Sequence, residues 1–210
     1  MYCPRHFAQT DRAAMLALMR DHPLATLITS GDAGPDANPV PLLWCDDGSP
    51  NGVLRGHLAR ANPAWPGLAA DSPVLALFHG PDAYVSPSWY PSKREHGRVV
   101  PTWNYALVQV RGRIRVHQQA DWLHQLLDQL TTTFESARAA PWSMADAPAD
   151  YLDGMLKAVV GIEIAIDDCS GKWKLSQNQP EANRAGVIAG LAEQKNQDAL
   201  LQLMRTGDAG

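Results

Sequence analysis

Three stretches of the chain carry side chains whose types and spacing suit work on a ligand. The first is Arg55-Gly56-His57-Leu58-Ala59-Arg60-Ala61-Asn62-Pro63. Arg55, His57, Arg60 and Asn62 could hold a phosphate, because arginine presents a planar fork of charged donors to an anion. The same residues also describe a strand exit with charge on its surface, and spacing alone leaves both readings open. The second stretch is Tyr84 to Tyr105, YVSPSWYPSKREHGRVVPTWNY, with three of the chain's five tyrosines and two of its seven tryptophans. Rings with polar tips suit a planar partner that is apolar on its faces and polar at its edges. Pro87, Pro91 and Pro101 forbid one uninterrupted central strand here, and Lys93 to Arg98 reads as an exposed, mobile charged hinge. The third stretch is Trp173-Lys174-Leu175-Ser176-Gln177-Asn178, whose lysine and amides could donate to a ring edge or simply close a turn.

Other chemistries find no support. The sequence has no GxSxG elbow, no GxxxxGK[ST] phosphate loop, no GxGxxG and no HExxH. The seven histidines never fall at i, i+2 or i, i+4, so no metal site is expected. The carboxylate pairs Asp46-Asp47 and Asp167-Asp168 lie in turn-like sequence, where Asp bonds its own backbone.

The elements that must position these stretches read mostly as short strands. Thr10 or Asp11 can cap a helix over DRAAMLALMR, with Met15, Leu18 and Met19 on one face. Leu24–Ser30, Val40–Cys45 and Val53–Leu58 are strands separated by Gly31-Asp32-Ala33-Gly34-Pro35 and Asp46–Gly52 turns, suggesting an antiparallel meander that closes into a barrel. Val74–His79 is a buried strand turned by Gly80-Pro81. Thr102–Val116 is the longest strand, with Gly112 marking a bulge or a close backbone approach. Asp121 to about Arg138 is a helix with Leu123, Leu126, Leu127, Leu130 and Phe134 on its buried stripe. A short helix carries Tyr151, Leu152, Met155 and Leu156, and Gly161–Ile166 is a strand turned by Asp167–Gly171. Pro180 opens a C-terminal helix.

A chain of 210 residues is expected to form one domain over 1–210, with helical additions around 119–158 and 180–206. The formal net charge of −4 argues against a general nucleic-acid or membrane footprint. The basic runs Lys93–Arg98 and Arg111–Arg115 are where DNA contact would fall, although a solvated face is the ordinary account of both. Cys3, Cys45 and Cys169 are odd in number and widely separated, which fits free thiols in a reducing cytosol. The first residues lack the apolar core of a signal peptide, and no stretch approaches eighteen consecutive apolar residues; a cytoplasmic protein with no membrane span is expected.

Five ordered motifs, MYCPRHF, GHLARANPAW, GP-AYVSPSWY, VVPTWNY and KLSQN, together resemble the PaiB-type FMN-binding negative transcriptional regulators over nearly the whole chain. The resemblance implies a mainly β, α+β fold, an FMN-binding split β-barrel with helical additions, forming a homodimer with FMN at the subunit interface. It implies that Arg60, with His57 and Asn62 beside it, binds the FMN phosphate. By the same likeness, Ser86, Trp89, Tyr90, Thr102, Trp103, Asn104 and Tyr105 frame the isoalloxazine, and Lys174, Gln177 and Asn178 reach its polar edge. Some of these aromatics could instead hold the dimer together, since buried aromatics dominate interfaces as well as pockets. Two functions compete: a flavin-sensing repressor, contacting DNA indirectly or through Lys93–Arg98, and an FMN-dependent oxidoreductase whose substrate the sequence does not name. Haem ligation through His57 or His79 is a more distant third.

Overall fold

The computed structural model describes residues 1–31 and 34–206. Among them run β1 (Ala8–Gln9), α1 (Arg12–Asp21), β2 (Leu24–Gly31), β3 (Gly34–Pro41), β4 (Leu43–Cys45), β5 (Val53–Ala59) and β6 (Ser72–Val85). A 3-10 turn at Pro87–Trp89 precedes α2 (Ser92–His96), β7 (Thr102–His117), α3 (Ala120–Glu135), α4 (Ala149–Lys157), β8 (Val159–Lys174), α5 (Glu181–Ala192) and α6 (Asp198–Thr206). The strands are ordered β3-β2-β6-β7-β8-β5-β4, and β1 pairs with β8. β2 pairs antiparallel with both β3 and β6, and β5 with both β4 and β8. This is an α+β fold, as expected.

The contacts group into two units. The first comprises Met1–Leu18, His79–Val108 and Ser170–Gly210; the second comprises Met19–Phe78 and Gln109–Cys169. The long strands β6, β7 and β8 contribute one part to each. In the second unit, α3 buries Leu123, Leu126 and Leu130, while Phe134, expected on the same stripe, is exposed in its last turn. Gly56 on β5 marks where β3 closes on β5: a Cβ there would come within 2.6 Å of the Pro41 carbonyl oxygen. In the first unit, α1 is capped by Asp11, whose Oδ1 accepts the Ala13 N–H at 2.9 Å. There α5 and α6 bury Val187, Leu191, Leu200 and Met204.

Two expected turns are instead places where a strand changes phase. Along β6, Val74, Ala76 and Phe78 are buried, and then Ala83 and Val85; the buried parity switches across Gly80-Pro81. Along β8, Val160, Ile162, Ile164 and Ile166 are buried, and then Gly171 and Trp173; the switch falls in Asp167–Ser170. Because side chains alternate with period two, a one-residue shift exchanges the faces of a strand. The turn-favouring residues are thus used to re-aim a continuous strand, and Asp167-Asp168 lies in that strand rather than in a turn.

Other expectations also need correcting. Val40–Cys45 is not one strand: Val40 and Pro41 end β3, and β4 starts at Leu43. β3 was not expected, because Gly34–Pro41 reads GPDANPVP. It stands at one end of the strand order, where prolines are tolerated for want of a second partner. The meander gives way to two hairpins, β2–β3 and β4–β5, at opposite ends of that order. Of the expected turn at Gly31–Pro35, Asp32 and Ala33 lie outside the described residues. Lys93–His96 belongs to the short helix α2, closed by Gly97 at φ 67°, rather than to an irregular hinge. The single expected C-terminal helix is two, and Pro180 is the cap residue just ahead of α5.

Gly112 on β7 lies against the Ala165 carbonyl and the Ile164 side chain, so close that a Cβ has no room. Gly154 on α4 is exposed with open space around it. Gly112→Ala should therefore destabilise the chain by about 1–3 kcal/mol through forced overpacking. Gly154→Ala should stabilise it by roughly 0.5–1 kcal/mol through helix propensity. Urea denaturation of the two variants checks both signs.

Candidate functional site

In the second unit, Arg55 and His57 share one face of β5, and Arg60 and Asn62 follow in the turn after it. Register places Arg55 opposite Glu163 and His57 opposite Gly161. The Arg55 Nε donates to Glu163 Oε2 at 2.8 Å. Gly161 makes room for the Trp122 indole, which stacks on the His117 ring at 4.1 Å with planes 8° apart. His117 Nε2 is 3.8 Å from Glu163 Oε1, too far for a hydrogen bond, while Arg55 holds the same carboxylate. Burial pushes the His57 imidazole below its usual value, and its Nδ1 is buried without a partner. Burial does the same to His117, against the raising influence of Glu163, so the packing favours a neutral ring.

Arg60 is largely committed to the chain itself. Its Nε donates to the Lys157 carbonyl at 2.7 Å, Nη1 to Gln118 Oε1 at 2.9 Å and Nη2 to the Val159 carbonyl at 2.9 Å. Of its five N–H groups, two are spent on the end of α4 and the start of β8 and one on Gln118 after β7, leaving two. Asn62 donates to Asn38 Oδ1 and accepts from the Ala64 N–H, both at 2.9 Å. These bonds clamp β3 to the loop after β5.

In the first unit, the phase change of β8 turns Lys172 and Lys174 away from the core while Trp173 and Leu175 are buried. The lysines join Thr102, Trp103 and Tyr105 of β7 and Tyr2, Pro4 and Phe7 of the amino-terminal segment around a cavity of about 360 Å³. Lys174 Nζ donates at 2.5 Å to both Thr102 Oγ1 and the Trp103 carbonyl, and lies 6.0 Å from the Phe7 ring centre. Lys172 Nζ donates to the Tyr2 carbonyl at 3.1 Å and lies 5.5 Å from the Tyr105 ring centre. Burial, and secondarily the Lys172 charge, lower the Lys174 pKa. Trp103 is 54% exposed and meets Tyr84 edge-on at 5.9 Å. The result is a shelf of aromatic rings edged by two cations.

The shelf unites four of the residues singled out in the sequence: Thr102, Trp103, Tyr105 and Lys174. Asn104, on the other face of β7, is fully buried, exchanging hydrogen bonds with Ser176. Gln177 closes the turn after β8, accepting from the Leu175 N–H and donating to the Trp173 carbonyl, both at 2.7 Å. Asn178 is exposed. Ser86 caps the 3-10 turn, Trp89 lies in a notch on α5 made by Gly186 and Gly190, and Tyr90 is buried. Sequence reasoning gave no role to Tyr2, Phe7 or Lys172, although the Lys-Trp-Lys alternation places both lysines on one face. Of the basic runs, Arg113 and Arg115 pair with Asp167 and Asp71. Among the described residues no helix is long and apolar enough to cross a membrane.

Residues 1–168 match the family described as "Putative FMN-binding domain". An uncharacterized protein of Emericella nidulans is 33% identical over 226 residues, covering 90% of each chain. The protease synthase and sporulation protein PAI 2 of Bacillus subtilis is 32% identical over 199 residues, 95% of this chain and 93% of that one. Among solved structures, the FAD and haem binding protein of Mycobacterium smegmatis superposes with a TM-score of 0.60 at 22% identity, over 87% of this chain and 80% of that one. The flavocytochrome Anf3 of Azotobacter vinelandii gives 0.58 at 15%, over 82% and 72%. Fold and family together define an FMN-binding split β-barrel. The chain belongs to the PaiB family of these proteins, and the cofactor of its domain is FMN.

The two half-buried histidines, His57 and His117, have a consequence for stability. Their folded pKa values lie below the usual value of 6.5, so below that pH the unfolded chain binds more protons than the folded one. Stability is then full above the unfolded value and falls as the pH drops through it. The urea midpoint should decline between about pH 7 and pH 5, and joint replacement of His57 and His117 by Gln should flatten that decline. A midpoint with the same pH dependence in both proteins contradicts neutral burial.

Proposed function

We propose that the chain works as a homodimeric FMN-binding regulator, in which the flavin ring rests on the aromatic shelf of one protomer. The observation that carries this reading is the shelf: exposed rings suit the faces of an isoalloxazine, and lysine N–H groups suit its carbonyl edge. Lys174 keeps one N–H beyond the two it donates within the chain. Adjacent exposed rings at Trp103 and Tyr84 are surface that a second copy would cover. The phosphate is assigned to the two free N–H groups of Arg60, with His57 and Asn62 close by, supplied by the other protomer. Bound FMN supplies reversible electron and hydride chemistry; the chain's part is to orient the ring and set the charge at its edge.

No histidine or carboxylate lines the shelf. Its Lys174 ammonium is already engaged by Thr102 and the Trp103 carbonyl, a setting suited to holding a ring edge, which favours the flavin as a signal over the flavin as a catalyst. The regulatory reading is further supported by 32% identity with PAI 2, whose name ties that protein to protease synthesis and sporulation.

Titration of the full chain and two variants with FMN and with riboflavin tests both assignments. Lys174→Gln should weaken both ligands by about 10- to 100-fold, since a charged donor is lost at the ring they share. Arg60→Ala should weaken FMN about tenfold more than riboflavin, which has no phosphate. Equal losses for Arg60→Ala would make it a fastener of α4 only, and unchanged affinities for Lys174→Gln would move the ring off the shelf.

A further inference from the structure

A second cavity in the first unit, of about 270 Å³, lies where the segment after the 3-10 turn meets the start of α5. It shares no lining residue with the flavin shelf. Besides the amides of Gln179 and Asn183, which bond each other, its polar wall has groups with donors to give. Tyr90 is only 4% exposed, lines the cavity, and its hydroxyl has no hydrogen-bond partner among the described residues. The Ser92 Oγ is buried and likewise unpartnered. Arg98 makes no ion pair among the described residues. His96 Nδ1 accepts the Arg98 N–H at 3.0 Å, which leaves the ring proton on Nε2 as a further donor.

The backbone adds to this set. α5 runs for twelve residues and receives no side-chain cap, because the residue ahead of it is Pro180. Its first-turn amides are unsatisfied within the helix and carry the positive end of its dipole. Glu95 and Glu181 belong to α2 and α5 but do not line the cavity, and neither does any other carboxylate. Val99, Val100 and the Pro180 ring give the same cavity apolar lining.

One guanidinium, two hydroxyls and a helix start together with apolar side chains match a monoanion with a short hydrocarbon body. We propose that this cavity is a binding site for a small aliphatic carboxylate, its oxygens held by Arg98, Ser92, Tyr90 and the first turn of α5. The hydrocarbon end lies against Val99, Val100 and Pro180. Burial raises the Tyr90 pKa, so the phenol keeps its proton and remains a donor. The site gives this FMN-binding protein a second input, at a cavity that shares no lining residue with the flavin shelf.

Calorimetric titration of the FMN-loaded full chain with 3-methylbutanoate tests the site. The acid should bind saturably, and its neutral amide, 3-methylbutanamide, about tenfold or more weakly, because the amide lacks the charge that Arg98 reads. Arg98→Gln and Ser92→Ala should each weaken the acid by about fivefold or more. Arg98 is exposed, so its replacement leaves the fold intact, which an unchanged melting temperature verifies. The proposal is overturned by no saturable binding below about 10 mM, by equal affinity for acid and amide, or by wild-type affinity in Arg98→Gln; for scale, a Kd of 1 mM corresponds to only about 4 kcal/mol. Tighter binding of inorganic phosphate than of the carboxylate also overturns it. Flavin absorbance recorded in the same samples reports separately on FMN.

Discussion

The change of phase along β8 is the constraint on which both halves of this protein depend. Over Val160–Ile166 the even-numbered side chains are buried; from Gly171 onward the odd-numbered ones are. Had the first phase continued, Lys172 and Lys174 would point into the core, where an unpaired ammonium is prohibitively costly. Trp173 would then be left in solvent. The shift places two cations beside aromatic rings while keeping Trp173 and Leu175 buried. β6 makes the same adjustment across Gly80-Pro81, delivering Ala83 and Val85 to the core and Tyr84 to the exposed side.

The charged and polar residues then divide by whether their bonding capacity is spent. Arg55, Glu163, His117 and Trp122 form a packed set that closes one face of the second unit. Asn104, Ser176 and Gln177 do the same for the turn after β8. Arg60 is divided, with two of its five N–H groups holding carbonyls at the end of α4 and the start of β8 and one held by Gln118. Capacity remains at Lys174, at the exposed faces of Trp103 and Tyr105, and at the unpartnered hydroxyls near α5. Function is assigned to these open groups because a ligand has something to gain from them.

Much of this was legible in the chain itself. Short runs bounded by turn signals announced β2 and β5, the long run after Pro101 announced β7, the leucine stripe announced α3, and the five motifs announced the family and its cofactor. β3 was missed because Pro35, Asp36 and Pro39 read as loop, and only its place at one end of the sheet makes that composition workable. The ends of β6 and β8 were missed because Gly80-Pro81 and Asp167–Gly171 favour turns locally, whereas pairing carries the strand through. In the site, residue type was informative and direction was not. Trp103 and Trp89 look alike in sequence, yet one lies open on the shelf and the other fills a glycine notch on α5. That difference depends on packing partners far away in the chain, which no local pattern encodes.

The central claim is that FMN stacks on the shelf formed by Trp103, Tyr105 and the two lysines. Flavin fluorescence during titration of FMN into the full chain addresses it most directly, because stacking on tryptophan and tyrosine quenches the emission. The account predicts quenching that saturates at about one FMN per chain and weakens markedly in Trp103→Ala. Saturable FMN binding with unquenched emission, or quenching unchanged in Trp103→Ala, would contradict it.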